Sequence, residues 1–299
     1  MSGQAFQAFR KKWTPVIEEE LKTAFAKDGN IPDVLVEAML YSLTAGGKRI
    51  RPLMVLAAAE ALAGPVARCV PAAIAVEMVH TYSLIHDDLP AMDNDDYRRG
   101  KLSNHKVFGD AMAILAGDAL LTHAFYMLTG LEQSGFPPER ILRIIRELSH
   151  YAGPRGMVGG QAADMLGEQG LTDLSMLEYI HRHKTGDMII FSLRAGGHLA
   201  GANEKQLEAL EQFGSCIGLA FQIQDDILDI SGDEKTIGKS LKSDEREKKV
   251  TFPYFLGLDE SRKKVKEYSE QGKEAILQAS FAKPELLLDL ADYLVDRDR

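Results

Sequence analysis

The sequence predicts an all-α protein, organised as one domain of long helices over residues 1–299. Three observations predict it. Apolar residues recur at spacings of three and four along most of the chain, which aligns them on one helix face. Alternating strand patterns are nearly absent. Glycine and proline fall between the helical stretches, at Gly46-Gly47, Gly64-Pro65, Pro137-Pro138, Gly153-Pro154 and Gly232, and no low-complexity linker divides the chain.

Each element follows from its residues. The segment 3–27 carries Phe6, Phe9, Trp13, Val16, Ile17, Leu21 and Phe25 at spacings of one, three and four. The stretches 31–43, 52–63 and 72–86 are rich in Ala, Leu, Met and Glu, all good helix formers. Further helices are predicted over 107–130, 138–151, 173–200 and 204–230, with two more beyond Asp259. The run DMIIFSL (187–193) has strand-like composition, but its setting within a long helical pattern favours a buried helix turn. Pro52 suits the first position of a new helix. The stretches 72–86 and 217–230 are apolar almost all round, as central helices are, and both run into aspartates.

Composition narrows the function. Hydrophobic residues make up 45% of the 299, enough for a large core. The net charge of −9 argues against a nucleic-acid binder but not against an anionic substrate held by a local basic cluster. Cys69 and Cys216 lack ligand-like spacing and read as buried thiols in a reducing compartment. The opening MSGQAFQAFRKKW lacks the apolar core of a signal peptide. PLMVLAAAEALAG comes nearest to a membrane span, and Glu60 interrupts it. A cytoplasmic protein without a membrane span is expected.

Two acidic motifs lie 138 positions apart. The first, SLIHDDLPAMDNDDYRRG, packs five aspartates into ten positions, a density that folding alone gives no reason to gather. Asp87 and Asp93, six apart, would stand about 120° from each other on a regular helix. Pro90 disfavours that helix, so the chain should bend after Asp88 and return Asp93 toward Asp87. His80 lies seven residues before Asp87, on the same stripe. The second motif, DDILD, holds Asp225, Asp226 and Asp229. Asp225 and Asp229 share one helix face, a repulsive pair unless a cation bridges it. Oxygen ligands alone favour Mg²⁺, which uses few carboxylates plus waters and substrate phosphates. DNDD (93–96) alone reads as readily as a solvated acidic patch, and an EF-hand is excluded by spacing.

Basic residues stand near both motifs. AGGKRIRP puts Lys48, Arg49 and Arg51 in a glycine-containing turn before a helix, either a plain surface turn or a phosphate cradle. It is not a P-loop, since Arg49 stands where Ser or Thr is required. Arg98 and Arg99 follow the first motif, as phosphate contacts or as neutralisers of the adjacent aspartates. Lys184-Thr185 lies mid-helix, and Lys239 falls in the loop DEKTIGKS.

SLIHDDLPAMDNDDYRRGKLSNHKVFG, AGGKRIRP, GGQAADM, YIHRHKTG and GLAFQIQDDILDI, in order from about residue 40 to 255, resemble the trans-prenyl diphosphate synthase family. The branch most similar is the bacterial farnesyl diphosphate synthase (geranyltransferase) type. The resemblance implies long helices around a deep central cavity (the isoprenoid synthase type) and a homodimer. It implies that Asp87, Asp88, Asp93, Asp225, Asp226 and Asp229 hold a cluster of Mg²⁺ ions, with Mn²⁺ as a possible substitute, on the diphosphate of an allylic substrate. Arg98, Lys184 and Lys239 would contact that diphosphate. Lys48, Arg51, His80 and Arg99 match the site for the isopentenyl diphosphate head, and Thr185 and Gln222 match polar groups beside the developing cation.

The implied reaction is Mg²⁺-dependent condensation of isopentenyl diphosphate with dimethylallyl and then geranyl diphosphate, giving farnesyl diphosphate. In the family a bulky aromatic at Tyr82, five residues before Asp87, floors the tail cavity. With small Ser83 beside it, a fifteen-carbon product is favoured over a twenty-carbon one. Gln161 and Asp164 match residues near the cavity; Tyr97 departs from the family's usual aliphatic residue, and no function is carried onto the tail DRDR. A terpene cyclase would not need the second basic site. A silent subunit of a heteromeric synthase would be expected to lack one acidic motif, and a plain metal-binding module would not need the phosphate-facing basic residues.

Overall fold

The computed structural model describes residues 3–25, 30–167, 173–231 and 250–295. In chain order the helices are α1 (Gln4–Thr23), α2 (Asp33–Leu43), α3 (Ile50–Ala61), α4 (Val70–Asp87), α5 (Asn104–Phe108), α6 (Asp110–Thr129), α7 (Pro138–Tyr151), α8 (Met157–Leu166) and α9 (Leu174–Ile180). A π-helical turn (His181–Gly186) leads into α10 (Asp187–Ala200), followed by α11 (Glu204–Ser231), α12 (Phe252–Leu256), α13 (Leu258–Leu277) and α14 (Glu285–Val295).

Hydrophobic burial sets the arrangement. α3, α4 and α10 are apolar on nearly every side and stand at the centre, where α10 packs against α3 and α11, and α4 against α3 and α6. Side chains such as Leu56, Ile74 and Phe191 are fully buried, each worth roughly 1.5–3 kcal/mol of transfer free energy. α1 lays Phe6, Phe9, Trp13, Ile17 and Leu21 onto this centre, and one continuous core extends from Phe6 to Leu294. A second cluster joins Leu177, Ile223, Ile227, Phe252 and Val265, binding α11 to the returning C-terminal helices.

The structure departs from the sequence reading at several points. DMIIFSL is helical, as favoured. The stretch 107–130 is two helices, broken at Gly109, whose φ of 82° ends α5. The stretch 173–200 is divided by the π turn. α3 begins at Ile50, so Pro52 is its third residue rather than its first. A two-stranded hairpin was not foreseen: β1 (Tyr97–Arg98) pairs antiparallel with β2 (Lys101–Leu102). The longest apolar helix is also not where the sequence reading put it. By length and composition Asp110–Glu132 is apolar enough to cross a membrane, and about a third of its most apolar window (33%) is buried in the fold.

Candidate active site

α4 carries the first acidic motif to the rim of a cavity of about 640 Å³. The helix ends at Asp87, and the chain then folds back. The Asp93 N–H donates to the Asp87 carbonyl at 2.9 Å, and the Asn94 N–H to that of Leu89 at 3.1 Å. Burial pushes the Asp87 carboxyl up to about 6; Lys184 opposes the rise and Asp93 reinforces it. Asp93 Oδ1 is buried and accepts no hydrogen bond. The two carboxylates thus crowd one another, as a site built for a cation would require.

Lys184 faces them from the π turn. Its Nζ donates to Asp164 Oδ2 on α8 at 2.7 Å. α8 lies so close that a Cβ on Gly160 would stand 2.2 Å from the Lys184 backbone nitrogen. Thr185, also in the cavity wall, donates through Oγ1 to Gln222 Oε1 on α11 at 2.9 Å. Gln222 Nε2 in turn lies 3.5 Å from Asp225 Oδ2. The second motif is therefore linked to the cavity wall through two side chains. Asp225 and Asp229 lie one turn apart on α11, both half-buried.

Two of the expected metal-ligand residues are engaged elsewhere. Asp88 is buried and accepts from Arg98, whose Nε lies 2.8 Å from Oδ1; the same guanidinium reaches Asp95 Oδ2 at 3.1 Å. Arg98 and Asp88 thus neutralise each other. Asp226 Oδ2 accepts the Phe252 N–H at 2.8 Å and lies 3.2 Å from His181 Nε2, with the imidazole stacked on the Phe252 ring. Buried among these partners, Asp226 ties α11 to the π turn and α12. Lys239 lies outside the described residues.

The basic residues form a second crowded cluster. Arg51 and His80 line the cavity. Arg51 lies below its ordinary pKa through burial and Arg99, with Glu77 opposing, and its Nε has no hydrogen-bond partner. Burial and the neighbouring Arg51, Arg99 and Arg49 hold His80 well below its usual value, so it is neutral at pH 7. Arg99 is lowered by burial, then Arg49 and Arg98, and its guanidinium donates to the Gly46 carbonyl in the turn that carries Lys48. Positive charge beyond what Glu18 and Glu77 balance suits a bound polyanion.

Sequence reasoning missed what holds this cluster. Arg49 is buried in a left-handed conformation (φ 52°), bonded to Glu18 Oε1 and Glu77 Oε1, both at 2.6 Å, and to the Leu43 carbonyl at 2.7 Å. Glu77 is 1% exposed on otherwise apolar α4. A lone acid inside AAIAVEMVHTYS was the available signal. Gln161 was noted and its surroundings are now clear: it lines the cavity with neither amide atom hydrogen-bonded. Tyr82 lines the same cavity, nearly buried.

Among the described residues no three His, Cys, Asp or Glu side chains form a ready-made metal cluster. The set is open, with crowded carboxylates and an unpartnered Asp93 oxygen, and it fits Mg²⁺, which completes its sphere with water and phosphate oxygens.

Comparison with known proteins gives concordant matches. The family model described as polyprenyl synthetase matches residues 32–283. A farnesyl diphosphate synthase of Geobacillus stearothermophilus is 54% identical over 248 residues, covering 83% of this chain and 84% of the relative. One from Bacillus subtilis (strain 168) is 47% identical over 294 residues, 98% of each chain. A crystal structure of a geranyltransferase from Legionella pneumophila superposes with a TM-score of 0.87 at 30% identity, covering 99% of this chain and 98% of that one.

Proposed function

The chain belongs to the polyprenyl synthetase family and is a prenyltransferase; from that premise we propose that it makes farnesyl diphosphate, acting as a single catalytic domain within a homodimer. Isopentenyl diphosphate condenses head to tail first with dimethylallyl diphosphate and then with geranyl diphosphate. The observation that carries this reading is the pair of oppositely charged clusters on one cavity: Asp87 raised among acids, and Arg51 and His80 lowered among bases.

Each cluster has its task. Lys48, Arg51, His80 and Arg99 hold the isopentenyl diphosphate head, with neutral His80 donating a hydrogen bond. Arg98 and Lys184 contact the allylic diphosphate, a role the resemblance also implies for Lys239. Asp87, Asp93, Asp225 and Asp229 would hold Mg²⁺, which when bound would stabilise charge on the departing diphosphate. Asp88 serves through Arg98, and Asp226 through the π turn. Heterolysis of the allylic C–O bond leaves its electron pair on the diphosphate, where Lys184 and Arg98 stabilise the growing charge. The isopentenyl double bond attacks the resulting cation and forms the new C–C bond. A proton then leaves to the departed diphosphate, restoring a double bond. Thr185 and Gln222 turn their oxygen dipoles toward the cation, and holding both substrates in one cavity removes much of the entropic barrier. Tyr82 limits the chain to fifteen carbons. The homodimer is what the family resemblance implies, and the exposed apolar Leu115 and Tyr126 on α6 offer a surface for it.

Substitution tests the assignment. Asp87→Ala and Asp225→Ala lower turnover by at least about 100-fold while circular dichroism stays helical. Unchanged turnover in either variant contradicts it.

A further inference from the structure

Gly117 lies on α6 where that helix passes the last turn of α4, and a side chain fits there only if His86 moves. A Cβ on it would stand 2.1 Å from Nε2 and 2.4 Å from Cδ2 of His86. The imidazole already fills the space that a side chain at 117 would occupy. A second contact fixes it, because Nε2–H donates to the Ile114 carbonyl at 3.1 Å. On its other side the ring meets Tyr82, with centroids 5.7 Å apart and planes at 80°. His86 and Tyr82 are four residues apart on α4, and helical side chains lean toward the N-terminus, which lays the imidazole over the Tyr82 turn. Both rings line the cavity, with Ile114 beside them.

We infer that Gly117 and His86 determine product length, by seating the imidazole against α6 and so holding the Tyr82 ring at the depth that stops growth at fifteen carbons. The inference rests on the proposed function and on Tyr82 as floor. A methyl group at 117 closes the imidazole's seat. The ring then has to swing off α6, into the cavity or against Tyr82, and the cavity shortens. Removing the imidazole does the reverse: Tyr82 loses its support and the cavity deepens. Five carbons of extended isoprenoid are about as long as one helical turn, ~5.4 Å, so displacing one ring suffices to change the product by one unit.

The test is the product distribution from labelled isopentenyl diphosphate and dimethylallyl diphosphate, with Mg²⁺, for wild type, Gly117→Ala, His86→Ala and the double variant. Wild type gives fifteen carbons. Gly117→Ala shifts the main product to ten carbons and His86→Ala to twenty. The double variant does not stop at ten, because the three atoms nearest the new Cβ all belong to His86. Product length reports cavity depth, which a general loss of stability does not alter. Should Gly117→Ala fail to fold, His86→Ala and the double variant carry the test. A folded Gly117→Ala that still makes fifteen carbons, or a His86→Ala with an unchanged product, overturns the inference and leaves the proposed function standing. A wild type that condenses nothing overturns both.

Discussion

Individual side chains in this site are pushed away from their ordinary pKa values, and that leads to measurable consequences. The Asp87 carboxyl titrates at about 6 in the fold against 3.8 for a free side chain. Its protonated form is favoured by folding, so its stabilising effect is complete below pH 3.8 and lost as pH rises through 6. Without metal at pH 7.5, Asp87→Asn is accordingly more stable than wild type by about 1–3 kcal/mol, and the difference disappears toward pH 4. Urea unfolding at the two pH values measures it. Arg51→Met removes a charged partner of the isopentenyl diphosphate head. It raises KM for that substrate about 10–100-fold and leaves KM for the allylic substrate nearly unchanged, as steady-state kinetics with each substrate varied will show. The sequence pointed to Asp87, Asp93 and Arg51 because acids and bases crowd into short motifs there. Spacing paired Asp87 with Asp93 and Asp225 with Asp229, but the resemblance kept Asp88 and Asp226 among the metal ligands. Neighbouring aspartates look alike until burial gives Asp88 to Arg98 and Asp226 to His181 and Phe252. Glu77 was hidden for the opposite reason, being a single acid whose basic partners come from other elements.

At the level of elements, the π turn and the end of α11 hold the chemistry in register. A π turn is the insertion of one residue into a helix and often marks a functional site. Here it brings Lys184 and Thr185 to the wall while their neighbours stay helical. Periodicity gave the helix 173–200 as one element, and the single local signal of the interruption was Gly186, which tempts a kink and ends the π turn. The Tyr97–Leu102 hairpin was equally hidden, since two-residue strands are too short to show alternation. What encodes it is the turn, where Arg99 and Gly100 both have positive φ, as a tight hairpin of type I′ requires. Asp226 joins α11 to both α12 and the π turn. Asp226→Ala leaves a buried N–H and an imidazole without their acceptor, lowering stability by about 1–3 kcal/mol in urea unfolding, while Asp226→Asn keeps an acceptor for Phe252 and recovers most of it.

Across the whole molecule, apolar surface that the fold leaves uncovered bears on assembly, and the cavity bears on the product. α6 exposes Leu115 at 52% and Tyr126 at 69%, although the helix is apolar on most faces. The proposed homodimer covers that surface, so Leu115→Glu shifts sedimentation from dimer to monomer; a wild type that sediments as a monomer contradicts the dimer. The all-helical architecture and central α4 were legible because burial on every side leaves an unbroken apolar run; of the two stretches read as central, 217–230 belongs to α11, while α3 and α10 share the centre with α4. The exposure of α6 was not, since sequence does not distinguish an apolar face turned to the core from one turned outward. The measurement that bears most directly on the whole account is the product formed from labelled isopentenyl diphosphate and dimethylallyl diphosphate, with Mg²⁺ and with a chelator. The account predicts a fifteen-carbon diphosphate that forms with Mg²⁺ and vanishes with chelator. Folded protein that forms no condensation product with Mg²⁺ would contradict it.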